Sequence, residues 1–135
     1  MSKHAVKPKM EPGFRLWVRI GEGVIGPGSI RLLAEIEQSG SMALAAAVCK
    51  MSYSKAYTLI GRLEASSGCK LLERQSGGAH GGRSELTETA RELVRRYQAL
   101  GASLRVPMNE TFAKHFADFE IQDVYVPSPR RRAAE

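Results

Sequence analysis

From Ser52 to Arg62 the chain reads Ser-Tyr-Ser-Lys-Ala-Tyr-Thr-Leu-Ile-Gly-Arg. Hydroxyls, two tyrosines and two cations follow one another closely, with no carboxylate among them. Ordinary solvated helix faces carry mixed Glu and Lys pairs. Hydroxyl and phenol groups can instead hydrogen-bond base edges, and cations can hold phosphates. Ala56, Ile60 and Leu63, joined by Leu59, make an apolar stripe at helical spacing. Ser54, Tyr57, Thr58 and Arg62 are then expected on the outer face, with Tyr53 and Lys55 in the first turn. A lysine in the first turn opposes the helix dipole by a few tenths of a kcal/mol (~0.3). That placement makes sense if a phosphate is its neighbour.

A second cluster follows at Ser76–Ser84, SGGAHGGRS. A hairpin tip without β-carbons can track a minor groove, with Arg74, His80 and Arg83 adding positive charge. Gly77, Gly78, Gly81 and Gly82 would form the tip. Gly77–Ser84 is one residue from a P-loop, but no strand–loop–helix unit of a parallel sheet surrounds it. Ser52-Tyr53-Ser54-Lys55 matches an acyl-enzyme S-x-x-K, but its companion motifs are missing. No set of nucleophile, base and orienting group can be assembled, so an enzyme is not expected. His4, His80 and His115 lack ligand spacing to one another or to cysteine, and neither a metal site nor a cofactor is expected.

These residues need elements to hold them. Phe14, Leu16, Val18 and Ile20 alternate with Arg15, Trp17 and Arg19 and predict a strand buried on one face. Gly21-Glu22-Gly23 turns it back onto Val24-Ile25. Pro27 opens a helix whose stripe contains Ile30, Leu33 and Ala34, and Gly40 closes it. Ser41 caps a second, alanine-rich helix ending near Cys49, and Ser52 caps the third. Lys50 lies in the turn between them, where a positive φ would favour glycine. Gly68 ends the third helix. Cys69–Arg74 reads as a strand, and Glu85-Leu86 begins its return. Thr87 caps a long helix with Ala90, Leu93, Val94, Tyr97, Leu100 and Leu104 in its stripe, and Pro107 is expected to end it. Asn109 would cap a last short helix bearing Phe112, Phe116 and Phe119.

The chain has 135 residues, a net charge of +6 and two cysteines. That is room for one domain with a core, and its basic balance suits a polyanionic partner. Cys49 and Cys69 read as buried, reduced thiols that act as small hydrophobes. No secretory signal and no membrane span is expected, which leaves a bacterial cytoplasmic protein and no membrane partner. The fold class is mainly α with small antiparallel β: a winged helix-turn-helix with a three-helix core, an N-terminal hairpin, a β-wing and a long C-terminal helix. Residues 1–12 are expected to be disordered and 13–106 to form the domain. Residues 107–126 would be an extension with the short helix, and 127–135 a disordered basic tail.

Three runs then carry a family likeness: LLAEIEQSGS (Leu32–Ser41), AAAVCKMSYSKAYTLIGRLE ending at Glu64, and LLERQSGGAHGGRSELT (Leu71–Thr87). With FRLWVRIGEG before them, they resemble the N-terminal DNA-binding domain of ModE-type molybdate-responsive regulators. A looser similarity to LysR-type regulators covers the same frame. The resemblance implies a dimeric repressor of transcription, with Ser52, Tyr53, Ser54, Lys55, Tyr57 and Thr58 at recognition-helix positions. It also implies that molybdate is sensed by C-terminal β domains. Residues 106–135 are not expected to form one, so direct molybdate binding is not expected. The partners are then duplex DNA and a second copy of the chain. Tyr53, Ser54, Tyr57 and Thr58 would read bases, while Lys50, Lys55 and Arg62 hold phosphates. The alternative is a winged-helix module that docks another protein with the same face.

Overall fold

The computed structural model describes residues 8–75, 83–123 and 125–130. Its elements in chain order are β1 (Val18–Ile20), β2 (Gly23–Ile25), α1 (Pro27–Ser39), α2 (Met42–Val48), α3 (Tyr53–Ser67), β3 (Leu72–Gln75), β4 (Arg83–Leu86) and α4 (Glu88–Phe116). β1 pairs antiparallel with β2, and β3 with β4, as two separate two-stranded sheets. The chain is a winged helix-turn-helix, mainly helical with two small hairpins.

Local chemistry sets most of the boundaries. Gly26 precedes Pro27 at the start of α1, and the ring's missing N–H costs nothing there. Gly40 closes α1 in the left-handed conformation at φ 68°, and Gly68 closes α3 at φ 71°. The hydroxyls of Ser41, Ser52 and Thr87 accept hydrogen bonds from the amides of Leu44, Lys55 and Ala90 at 3.2, 3.1 and 3.2 Å. Each satisfies an amide that its helix cannot, typically worth about 1 kcal/mol.

The core lies where α1, α2 and α3 meet: Leu32, Leu33 and Ile36 face Ala45, Ala46, Ala56 and Ile60, all buried. Leu71, Leu86 and Ala90 close it on the side of the second hairpin. Each fully buried leucine or isoleucine contributes about 1.5–3 kcal/mol. The alanines of α2 let the helices approach closely.

Three expectations are corrected. The first strand is shorter than the alternation suggests. Leu16, Val18 and Ile20 are half-buried between exposed Arg15, Trp17 and Arg19, yet the ladder begins only at Val18 opposite Ile25. Carried further, the register would set Leu16 against Pro27, which has no amide to donate. The return strand starts at Arg83 and ends at Leu86, so Arg83 and Ser84 belong to β4 and not to a loop. The Ser84 amide donates to the carbonyl of Gly40, which ties the strand to the end of α1.

Pro107, finally, does not end a helix. It sits inside the continuous 29-residue α4, and the separate helix capped by Asn109 does not exist. Proline leaves the carbonyl four residues back without a partner. That residue is Ser103, which is exposed, so water can take the bond. Phe112 and Phe116 stack at 4.7 Å on the far part of α4, and Phe119, just beyond it, meets Phe116 edge-on.

Candidate nucleic-acid interface

α2 passes into α3 through four residues, Cys49, Lys50, Met51 and the cap Ser52. The Met51 amide donates to the Ala46 carbonyl and the Lys50 amide to that of Ala47. This paired closure ends a helix with one left-handed residue, usually glycine. Here that residue is Lys50 at φ 56°, at a cost of about 1–2 kcal/mol. Met51 tucks against the core behind it. The turn therefore exposes a cation at the helix junction.

Ala56, Ile60 and Leu63 bury one side of α3. At about 100° per residue, the opposite side is centred on Ser54, Thr58 and Gly61. Tyr53 and Tyr57 form one flank, with rings stacked 6.4 Å apart. Lys55 and Arg62, seven residues apart, form the other flank. All seven are exposed. Ser52 is also exposed, but its oxygen is occupied as the cap of α3. The only carboxylate of α3, Glu64, is half-buried on the Tyr57 flank, where it lines a hollow with Tyr57 and Gly61. It accepts hydrogen bonds from the amides of Leu71 and Leu72 at 2.9 and 3.4 Å, which positions the approach to β3.

The wing residues are only partly within view. Gly77, Gly78, His80, Gly81 and Gly82 lie outside the described residues, and of Arg74 only the backbone, paired with Ser84, is described. Arg83 is exposed on β4, and its guanidinium lies beside Gly40 at the C-terminal end of α1. It thus stands at the root of the hairpin and not at its tip.

Gly61 and the pair Arg15 and Arg19 were not singled out from the sequence as site residues. A Cβ on Gly61 would meet nothing within 4 Å. No packing demand explains a glycine in mid-helix, where it costs about 1 kcal/mol. The signal was present as an interruption of the helical pattern. Arg15 and Arg19 share a groove with Lys55, a proximity that their distance along the chain conceals. Cys49 is half-buried, and burial raises its thiol pKa, with Arg31 lowering it and Glu35 raising it to lesser extents. Among the described residues no group of His, Cys, Asp or Glu could hold a metal ion. No described helix is long and apolar enough to cross a membrane.

Two helices joined by a tight turn, the second with an outward donor-rich face and followed by a hairpin, define a helix-turn-helix domain of the DNA-binding regulatory class. Residues 28–91 match the family model of the bacterial regulatory helix-turn-helix protein, lysR family. The chain is similar to the transcriptional regulator ModE of Haemophilus influenzae, 41% identical over 76 residues, which are 56% of this chain and 30% of that protein. The molybdenum transport protein ModE of Azotobacter vinelandii is 39% identical over 71 residues, 53% of this chain and 26% of that one. The transcriptional regulator ModE of Yersinia pestis is 34% identical over 74 residues, 55% and 28% of the two chains. The chain thus spans less than a third of the length of these curated relatives.

Proposed function

We propose that this chain is a sequence-specific, duplex-DNA-binding transcriptional regulator that acts as a homodimer and represses by occupying its site. The observation that carries the reading is the exposed side of α3. Its centre of Ser54, Thr58 and Gly61 is flanked by tyrosines on one edge and cations on the other, and the one carboxylate of α3 is engaged by the amides of Leu71 and Leu72. Such a helix can enter a major groove, with Tyr53, Ser54, Tyr57 and Thr58 toward the bases and Lys50, Lys55 and Arg62 toward phosphates. Gly61 then leaves room for the groove wall. The wing, with Arg74, His80 and the glycines, would lie along the neighbouring minor groove, and Arg83 at its root.

The test is a fluorescence-anisotropy titration with fragments selected from the organism's own genome, repeated at several salt concentrations. Affinity should fall steeply with salt, with a logarithmic slope of about −0.9 per neutralised phosphate. A flat response, or no binding to any fragment, would overturn the reading. Tyr53→Ala with Thr58→Ala should bring the selected site down toward random DNA, a loss on the order of 1–3 kcal/mol per base contact, and leave nonspecific affinity nearly intact. An equal loss on every sequence would show that these side chains do not read bases.

The dimer reading is supported by α4. Its first turns bury Ala90 and Val94, while Leu100 and Leu104 further along the same stripe remain 43% and 41% exposed. Leu100→Glu with Leu104→Glu should yield a monomer in sedimentation velocity, with affinity for a two-half-site operator lowered and that for a single half-site retained. The name of the Azotobacter vinelandii relative concerns molybdenum transport, and the proposed DNA step of this chain runs without molybdenum. Added molybdate is expected to leave the binding curve unchanged.

A further inference from the structure

A groove of about 640 Å³ runs beside the recognition helix, between β1 and the start of α1. Arg15, Trp17 and Arg19, on the exposed side of the first strand segment, line one wall; Gly28 and Ser29 of α1 line another, and Lys55 of α3 closes it. No carboxylate lines it. Three cations share one concavity, and no described residue forms an ion pair with any of them.

The floor is as distinctive as the walls. α1 begins with no side-chain cap and no acidic residue in its first turn. Its first position is Pro27, so the amides of Gly28 and Ser29 stand at the helix start without an intrahelical acceptor. The Ser29 side chain is a second, independent feature. The residue is only 8% exposed, yet its hydroxyl has no partner among the described residues, although no fully enclosed polar atom is left unsatisfied. Its oxygen is therefore not sealed from solvent, and Ser29 is among the residues that line the groove. A nearly buried hydroxyl and two amides at the positive end of a helix, sharing a groove with three cations and with no partner for any of them among the described residues, make a donor set for a tetrahedral anion.

We propose that this groove is a phosphate-binding cradle. The amides of Gly28 and Ser29 and the Ser29 hydroxyl hold the phosphate oxygens, Arg15 and Arg19 neutralise them, and Lys55 links the cradle to the recognition face. Trp17, 54% exposed on the wall, offers an apolar surface for the sugar next to a phosphodiester. One source of the phosphate is the DNA backbone flanking the site read by α3, and this part rests on the proposed DNA binding. The other is free inorganic phosphate, which needs no DNA.

Two measurements separate the sources and keep the cradle's fate distinct from that of the DNA reading. In the first, DNA affinity is measured against salt for the wild type, Arg15→Gln/Arg19→Gln, Arg15→Lys/Arg19→Lys and Ser29→Ala. Lys114→Gln, far along α4, serves as a control for general loss of charge. For a backbone phosphate, the glutamine pair lowers the salt slope by roughly 1–2 and the lysine pair restores it. Ser29→Ala lowers affinity several-fold with the slope unchanged, because a hydroxyl carries no charge. In the second, inorganic phosphate is titrated into the DNA-free protein and followed by amide NMR, with chloride at equal ionic strength as reference. A free-phosphate cradle shows saturable shifts at Gly28 and Ser29 that the glutamine pair abolishes. If wild type binds DNA, the glutamine pair behaves as Lys114→Gln does, and phosphate moves neither amide, the cradle is wrong while the DNA reading stands. If wild type binds no DNA, that reading fails, and the phosphate titration alone decides the cradle.

Discussion

Two groups of cations in this chain are treated in opposite ways. On α4, Arg91 pairs with Glu37 at 2.9 Å and with Glu88 at 3.5 Å, and Arg95 and Arg96 both bind the carboxylate of Glu92. Around the turn and α3, Lys50, Lys55 and Arg62, with Arg15 and Arg19 nearby, have no carboxylate partner among the described residues. The first group cancels its own field and leaves α4 nearly neutral over its first turns. The second projects its charge outward from one side of the molecule. The +6 net charge is therefore a less informative quantity than where charge goes unpaired, since a polyanion is drawn to the uncancelled side.

The contrast can be broken most directly by neutralising the unpaired side. Lys50→Gln/Lys55→Gln/Arg62→Gln should lower the salt slope of DNA binding by about 2.7, near 0.9 for each lost phosphate contact, while the denaturation midpoint stays within roughly 0.5 kcal/mol of wild type, as is usual at exposed positions. A large loss of stability would mean that these cations hold the fold.

Lys50→Gly is the sharper and smaller test. Glycine accepts the left-handed backbone freely, so the variant should be more stable by about 1 kcal/mol and yet lose about 0.9 of salt slope. Stability and affinity moving in opposite directions would mark Lys50 as a strained residue kept for its charge. Movement in the same direction would return the turn to a purely structural role.

The smallest effect is expected on the paired side. Arg95 and Arg96 hold the Glu92 carboxyl at a pKa of about 2, below its ordinary 4.5. A carboxylate with a depressed pKa stabilises the fold above its ordinary value and loses that contribution as pH falls from about 4.5 toward 2. Glu92→Gln should flatten that acid limb in thermal melts. Arg95 and Arg96 are exposed and Glu92 partly so, which leaves the cluster open to salt screening, so the change should be slight and vanish in high salt. The same variant frees two guanidinium groups, and nonspecific DNA affinity should rise a few-fold. A fall would show that α4 takes part in the DNA surface after all.

Much of this surface could be read directly from the residues. Ser41, Ser52 and Thr87 cap where their chemistry requires, Gly40 and Gly68 stop helices, and the stripe of Ala56, Ile60 and Leu63 fixes which way α3 faces. All of these depend on neighbours within one or two turns. What escaped depended on distant partners or on solvent. Pro107 reads as a stop, because nothing local says that the Ser103 carbonyl can be hydrated. Arg83 reads as loop until the amide of Ser84 is seen bonded to Gly40, far back in the chain. Glu64 looks like an ordinary surface acid until the amides of Leu71 and Leu72 are found on it. Arg15 and Arg19 look like the outer side of a strand, and only the docking of the first hairpin on α3 brings them near Lys55.

That docking has a mechanical side. Gly21, at φ 58°, and Gly23 press so closely on Ser66 that a β-carbon on either would collide with its carbonyl or its side chain. α3 is thus propped at its far end, with Ile60 buried near its middle as a pivot and Tyr53 at the other tip. Ser66 lies about 9 Å beyond the pivot and Tyr53 about 10 Å before it. A sideways shift of about 1 Å at the glycine prop would swing Tyr53 by a similar amount the opposite way, as on a seesaw, enough to take a hydrogen bond out of range. On the proposed DNA reading, the first hairpin is in this sense the adjusting screw of α3, and whatever loosens it would detune recognition without altering any side chain on the exposed face of that helix.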